Sequence, residues 1–237
     1  LLEKSLLVLE EGIVEGRKVF ANIVKYIRMG ASSNFGNMFS VVGASYLLPF
    51  LPMQPVQILT NNLLYDFSQT GIPTDNVDAE LIAKPLKWNI GNIKRFMVFI
   101  GPISSIFDYA TFALMWFVFH CSAYLDPTLG AAEKDSLARL FQTGWFVESL
   151  LTQTLIVHII RTRRIPFFGS RASLPMILTT LAIMAIASWL PYSPFAGGLG
   201  MVPLPAIYWV WIAVFLATYA VLTHLVKSWF FRHYGGD

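Results

Sequence analysis

Four oxygen-bearing side chains sit inside apolar runs that otherwise have little to offer a ligand. Asn34 and Asn37 lie in "RMGASSNFGNMFSVVGASYLLPF", and Asn62 and Asp66 lie in "QILTNNLLYDFSQTGIPTD". Spacings of three and four residues put Asn34 with Asn37, and Asn62 with Asp66, on one face of their respective helices, with Tyr65 beside Asp66. Amide and carboxylate oxygens are the donors a hard cation prefers. A carboxylate at the centre of a bilayer costs about 2.5–3.5 kcal/mol on insertion scales, so Asp66 is expected to face a bundle interior or water. Asn61 and Ser33, taken singly, read as side chains that hydrogen-bond a neighbouring helix. Asp108 and Glu148 are lone carboxyls in later apolar runs. These two carboxyls are open to lining a pathway, pairing with each other or holding a proton, and with Tyr65 they form a second rank of candidates. His158 and His224 read as interfacial or packed histidines.

The elements that must position these residues follow from composition and periodicity. Only 13% of the 237 residues are charged, 55% are hydrophobic and the mean hydropathy is +0.57, whereas soluble domains average about 25% charged residues. Six stretches approach the length of about 20 residues that a hydrocarbon core requires: Met29–Phe50, Gln54–Ile72, Phe96–Phe119, Leu140–Ile160, Ser173–Ser193 and Leu204–Val226. The expected fold is an all-α membrane protein, a bundle of six transmembrane helices with an N-terminal cytoplasmic stalk helix. Residues 1–28 form the stalk, because Leu6, Leu9, Ile13, Phe20, Val24 and Ile27 recur at helical spacing between charged residues. Residues 29–72 form a transmembrane hairpin with the cation site, 73–95 a cytoplasmic loop, and 96–237 four further spans. The short link Leu51–Pro55 should make the first two spans antiparallel neighbours, so that the Asn34/Asn37 face meets the Asn62/Asp66 face. Gly71 and Pro73 favour local unwinding at the end of the second span. Trp145, Trp189, Tyr192 and Trp229 read as an aromatic belt.

Charge placement sets the orientation. All of the 17 Lys and Arg except Lys134 and Arg139 fall on one side of this span arrangement, so both termini should be cytoplasmic. The N-terminal segment has no basic n-region or small-residue cleavage site, and no signal peptide is expected. Cys121 is the only cysteine, which leaves no internal disulfide and no zinc-type cluster. There is no DKTGT-like phosphorylation sequence, GxxxxGK[ST] loop, GxSxG elbow or HExxH helix, so this chain alone should not hydrolyse ATP. A stand-alone six-helix cation channel or secondary transporter, and a purely structural anchor, are the alternative readings.

The run "EGRKVFANIVKYIRMGASSNFGNMFSVVGASYLLPFLPMQPVQILTNNLLYDFSQTGIPTDNVD" resembles the fifth and sixth membrane helices of P-type cation ATPases, with EGR, a basic stalk, SSN, PVQ-L and N-x-x-x-D in order. With "LLEKSLLVLEEGIVEGRKVF", "SNFGN" and "NNLLYDF", it is most similar to the bacterial magnesium-transporting P-type ATPases, and the chain corresponds to their membrane helices five to ten. The resemblance implies a C-terminal part of an ATP-driven Mg²⁺ importer of the bacterial inner membrane. Mg²⁺ would be the transported ion, held at Asn34, Asn37, Asn62 and Asp66. It implies partners elsewhere in the full-length protein: actuator, phosphorylation and nucleotide-binding domains, which alone would use ATP, and the first four membrane helices. Membrane lipids are expected around it and no nucleic acid. Asn37 stands where calcium pumps have glutamate and Tyr65 where they have threonine. Glu148 resembles an eighth-helix position that adds a carboxylate in some relatives.

Overall fold

The computed structural model describes residues 6–235. Lys4, counted above on the cytoplasmic side, and the first five residues of the expected stalk lie outside them. Among the described residues the chain is helical and contains no strand. The α-helices are α1 (Leu6–Leu47), α2 (Pro55–Ser68), α3 (Ala79–Ala83), α4 (Ile90–Ala113), α5 (Ala131–Ile160), α6 (Leu174–Trp189) and α7 (Ala206–Tyr234). A wide π-type turn at Leu114–Val118 extends α4, and a 3₁₀ turn at Leu190–Tyr192 extends α6. Four helices, α4 to α7 with these extensions, are long and apolar enough to cross a membrane, which makes this a multi-pass membrane protein.

The other two expected spans have a different form. Helix α1 runs without a break for 42 residues through Met29, where a stalk was expected to pass into a span. Helix α2 has only 14 residues and stops at Ser68, not Ile72. There Gln69 and Thr70 donate their N–H groups to the carbonyls of Asp66 and Phe67, three residues back, which tightens the last turn. A 3₁₀ turn at Ile72–Thr74 contains Pro73. Gly71 is required at this point because a Cβ would lie 2.5 Å from Met176 Cα, at the start of α6.

Helix α5 is the centre of the molecule. It is buried on every side from Phe141 to Thr154, and α1, α2, α4, α6 and α7 pack around it. Helix α1 packs mainly along α4. A Cβ on Gly36 would fall 2.6 Å from the Gly101 carbonyl oxygen and closer still to the Ser104 hydroxyl; Ser105 Oγ donates to the Gly36 carbonyl at 3.0 Å. Two backbones come this close only where side chains are small.

Hydrogen bonds fix the helix directions. Along α5, Trp145 shares Asp108 with Ser40 of α1, Gln153 pairs with Ser33, and Arg161 shares Asp75 with Lys25. Numbers fall on α1 as they rise on α5, so these helices are antiparallel. Helix α2 runs with α5, since Gln142 bonds Leu51, Gln153 bonds Asn61, and Arg161 bonds Asp75 just beyond the α2 end. Helices α1 and α2 are therefore antiparallel and both contact α5, but they are not packed on each other along their lengths. Their polar faces, expected to meet directly, open instead on a shared cleft that Asp66 does not line. Trp145 is likewise no belt residue, being 2% exposed in the middle of the bundle, whereas Trp189, Tyr192 and Trp229 are exposed.

Candidate cation-binding site

The rotation of α2 is set by its polar residues. Gln57, Asn61, Tyr65 and Ser68 form its buried face. Gln57 Oε1 accepts from the Gln54 N–H at 3.1 Å, closing the first turn, and Gln57 Nε2 donates to the Leu199 carbonyl at 2.9 Å. Asn61 Nδ2 donates to the Phe146 carbonyl at 3.4 Å, and Asn61 Oδ1 accepts from Gln153 Nε2 at 3.2 Å. Gln153 also donates to Ser149 Oγ at 2.6 Å and accepts from the Ser33 hydroxyl at 3.3 Å. One glutamine of α5 thus ties α1 to α2. Asn61 and Ser33 are the helix-to-helix bonds that their type suggested.

Asn62 and Asp66 lie about 100° further round α2 and are exposed. So is Asn34, while Asn37 is half-buried. Asn34 and Asn37 from α1, Asn61 and Asn62 from α2, and Trp145 and Ser149 from α5 line one open cleft of about 510 Å³. Asp66 is not part of it. It lines a second cavity of about 400 Å³ with Asn22, Tyr26, Gln69 and Thr70. The structure therefore brings together three of the four expected ligands and leaves Asp66 one turn away. No ion pair among the described residues engages Asp66. Nor do three His, Cys, Asp or Glu side chains converge among the described residues.

Of the second-rank candidates, Tyr65 is buried with Ser33 and Asp66 nearby. Asp108 and Glu148 are both buried and face each other behind the cleft wall. Trp145 is the wall: it lines the cleft and donates its indole N–H to Asp108 Oδ1 at 2.7 Å. His158 contacts the Thr180 hydroxyl at 2.8 Å and stacks on Phe167.

Sequence reasoning missed a polar junction where α2 leaves the cleft. Asp75 Oδ2 accepts from Lys25 Nζ at 3.0 Å and Arg161 Nε at 2.8 Å, and its Oδ1 accepts from the Ser173 N–H at 3.1 Å. Asp78 accepts from the Thr162 and Ser170 hydroxyls, both at 2.6 Å. Burial works to raise the Asp78 carboxyl, but those hydroxyls together with Arg161 and Lys25 outweigh it and hold the group below the ordinary carboxylate range. Lys227 of α7 donates to the carbonyls of Ile159, Thr162 and Arg164. The signal was present in the facing of acidic "TDNVDAE" and basic "RTRR" on the same expected side of the membrane.

Comparison with known proteins agrees with this architecture. The family described as "Cation transporting ATPase, C-terminus" matches residues 50–229. The chain is 55% identical over 235 residues to "Magnesium-transporting ATPase, P-type 1" of Escherichia coli strain K12, covering 99% of this chain and 25% of that protein. The same identity and coverage hold for the protein of that name in Salmonella typhimurium strain 14028s. A further relative of that name in Salmonella typhimurium strain LT2 is 50% identical, with the same coverage. The chain spans about a quarter of the length of these curated relatives. On the family match, which covers most of its length, this chain belongs to the cation-transporting ATPases and corresponds to their C-terminal part.

Proposed function

We propose that this chain is the C-terminal membrane part of an ATP-driven Mg²⁺ import pump and that it supplies oxygen ligands for the transported ion. One observation carries the reading: in a chain 55% identical to proteins named for magnesium transport, amides from both α1 and α2 open onto one cleft. Asn34, Asn37 and Asn62 are the proposed ligands there, and Asp66 is the carboxylate one turn further along α2. Mg²⁺ surrenders water reluctantly and commonly uses one or two carboxylates while keeping several waters. A site of three neutral amides and one carboxylate suits that ion. The cleft and the Asp66 cavity would become one site when the first four membrane helices of the full-length protein cover the open faces of α1 and α2.

In this reading α1 and α2 complete six membrane-crossing segments. Residues 1–28 act as a cytoplasmic stalk, 29–72 as the hairpin holding the ion, 73–95 as a cytoplasmic loop and 96–237 as four supporting helices. The bias of Lys and Arg supports cytoplasmic termini in a bacterial inner membrane. The actuator, phosphorylation and nucleotide-binding domains would lie in the rest of the full-length protein, so this chain alone is inactive. Continuity of α1 from Leu6 to Leu47 supports mechanical coupling, since a helix moved at one end carries Asn34 and Asn37 with it. Mg²⁺-stimulated ATP hydrolysis by the full-length Asp66→Ala protein tests the assignment. We expect the stimulation to be lost; unchanged activity and Mg²⁺ affinity would refute the role of Asp66.

A further inference from the structure

Asp108 of α4 and Glu148 of α5 are 2% and 0% exposed. Asp108 uses both oxygens as acceptors: Oδ2 takes the Ser40 hydroxyl of α1 at 2.6 Å, and Oδ1 takes the Trp145 indole N–H at 2.7 Å. Glu148 follows Trp145 by three residues on α5, so the two side chains share a face. The helix that brings the indole to Asp108 brings the Glu148 carboxyl there too, within hydrogen-bonding reach. Neither Glu148 oxygen receives a donor from the described residues. The Thr152 hydroxyl beside it donates to the backbone carbonyls of Glu148 and Ser149 at 3.0 and 3.1 Å.

Among the described residues, the groups facing the pair supply no cation. They are Ser40 from α1, Tyr109 from α4, Trp145 and Thr152 from α5, and Tyr208 and Tyr219 from α7. Toward α2, Tyr65 lies next to Tyr219. The Tyr208 hydroxyl donates to the Gly144 carbonyl at 2.5 Å, and Tyr219 has Thr223 beside it. Two ionised carboxylates here would repel each other, and burial without a counter-charge penalises both. A single proton removes the conflict. Carried on Glu148 and donated to Asp108, it gives one of the two unpartnered Glu148 oxygens a partner and gives Asp108 a third donor.

We propose that Asp108 and Glu148 bind one proton between them, forming a proton-binding site behind the cation cleft that clamps α4 to α5 and, through Ser40, to α1. Trp145 belongs to both sites, lining the cleft and bonding Asp108. The proposal does not depend on which ion the cleft takes.

The test is infrared spectroscopy of the full-length protein at neutral pH, with Glu148→Gln and Asp108→Asn beside the wild type. The wild type should show the C=O stretching band of a protonated carboxyl. Glu148→Gln should fold normally, because its amide still donates to Asp108, and should lose that band. Asp108→Asn should retain the band but shift it to higher frequency, because the proton has lost its ionised acceptor. A wild type without the band, a band unchanged in Glu148→Gln, a band unshifted in Asp108→Asn, or a Glu148→Gln protein that fails to fold each overturns the proposal.

Discussion

Two adjacent asparagines in α2 are chemically identical and have opposite roles because of a rotation of about 100° per residue. Asn61 is 3% exposed and bonds Phe146 and Gln153, whereas Asn62 is exposed in the cleft. Asn61→Ala should therefore lower the unfolding temperature of the full-length protein in detergent. Asn62→Ala should leave stability within about 0.5 kcal/mol, as surface changes do, and should weaken Mg²⁺ stimulation of ATP hydrolysis. Gln153 is the more damaging loss, since it bonds Ser33, Asn61 and Ser149 at once. Interhelical hydrogen bonds in membrane proteins average about 0.6 kcal/mol, so Gln153→Ala should cost about 1–2 kcal/mol, measured by chemical unfolding in detergent. Residue types and spacings nominate Asn34, Asn37, Asn62 and Asp66 as candidates. They could not divide them between two cavities, because spacing says which residues share a helix face and not where that face points.

At the level of elements, the α1–α4 contact and the junction beyond α2 carry separate predictions. Gly36→Ala puts a methyl group against Ser104 and the Gly101 carbonyl, and overpacking of this kind typically costs about 1–3 kcal/mol. The expected result is a protein that is less stable by that amount and has a wider α1–α4 spacing, read by unfolding and by crosslinking across the pair. The junction depends on pH through Asp78. Its carboxyl is held below its ordinary value, so the native state favours the ionised form. That stability is fully present above the ordinary carboxylate range of about 4 and is lost as pH falls through the lowered native value. Melting temperature should therefore fall less steeply on acidification in Asp78→Asn than in the wild type. The early stop of α2 was half legible: Gly71 and Pro73 marked a break, but the close approach of Gly71 to Met176 of α6 joins residues about a hundred positions apart in sequence.

For the whole molecule, the notable surface is the open faces of α1 and α2. Met38, Val42 and Tyr46 on α1, with Leu59, Leu63 and Phe67 on α2, are exposed beside the amides of the cleft. In the proposed pump these faces meet the remaining membrane helices, so this chain reconstituted alone in vesicles should neither hydrolyse ATP nor pass Mg²⁺. Flux of Mg²⁺ through the isolated chain would favour a stand-alone channel instead. The sequence by itself determined the helical membrane class, the breaks at Pro and Gly, the oxygen-bearing residues and the family resemblance, because each depends on composition, period or local motif. Tertiary structure decided that α5 is the axis of the bundle, that Trp145 is a wall and not a belt residue, and that Asp108 meets Glu148. It also decided which side of α2 opens outward. Those outcomes depend on hydrogen bonds and close backbone contacts between residues far apart in the chain, which no local pattern encodes.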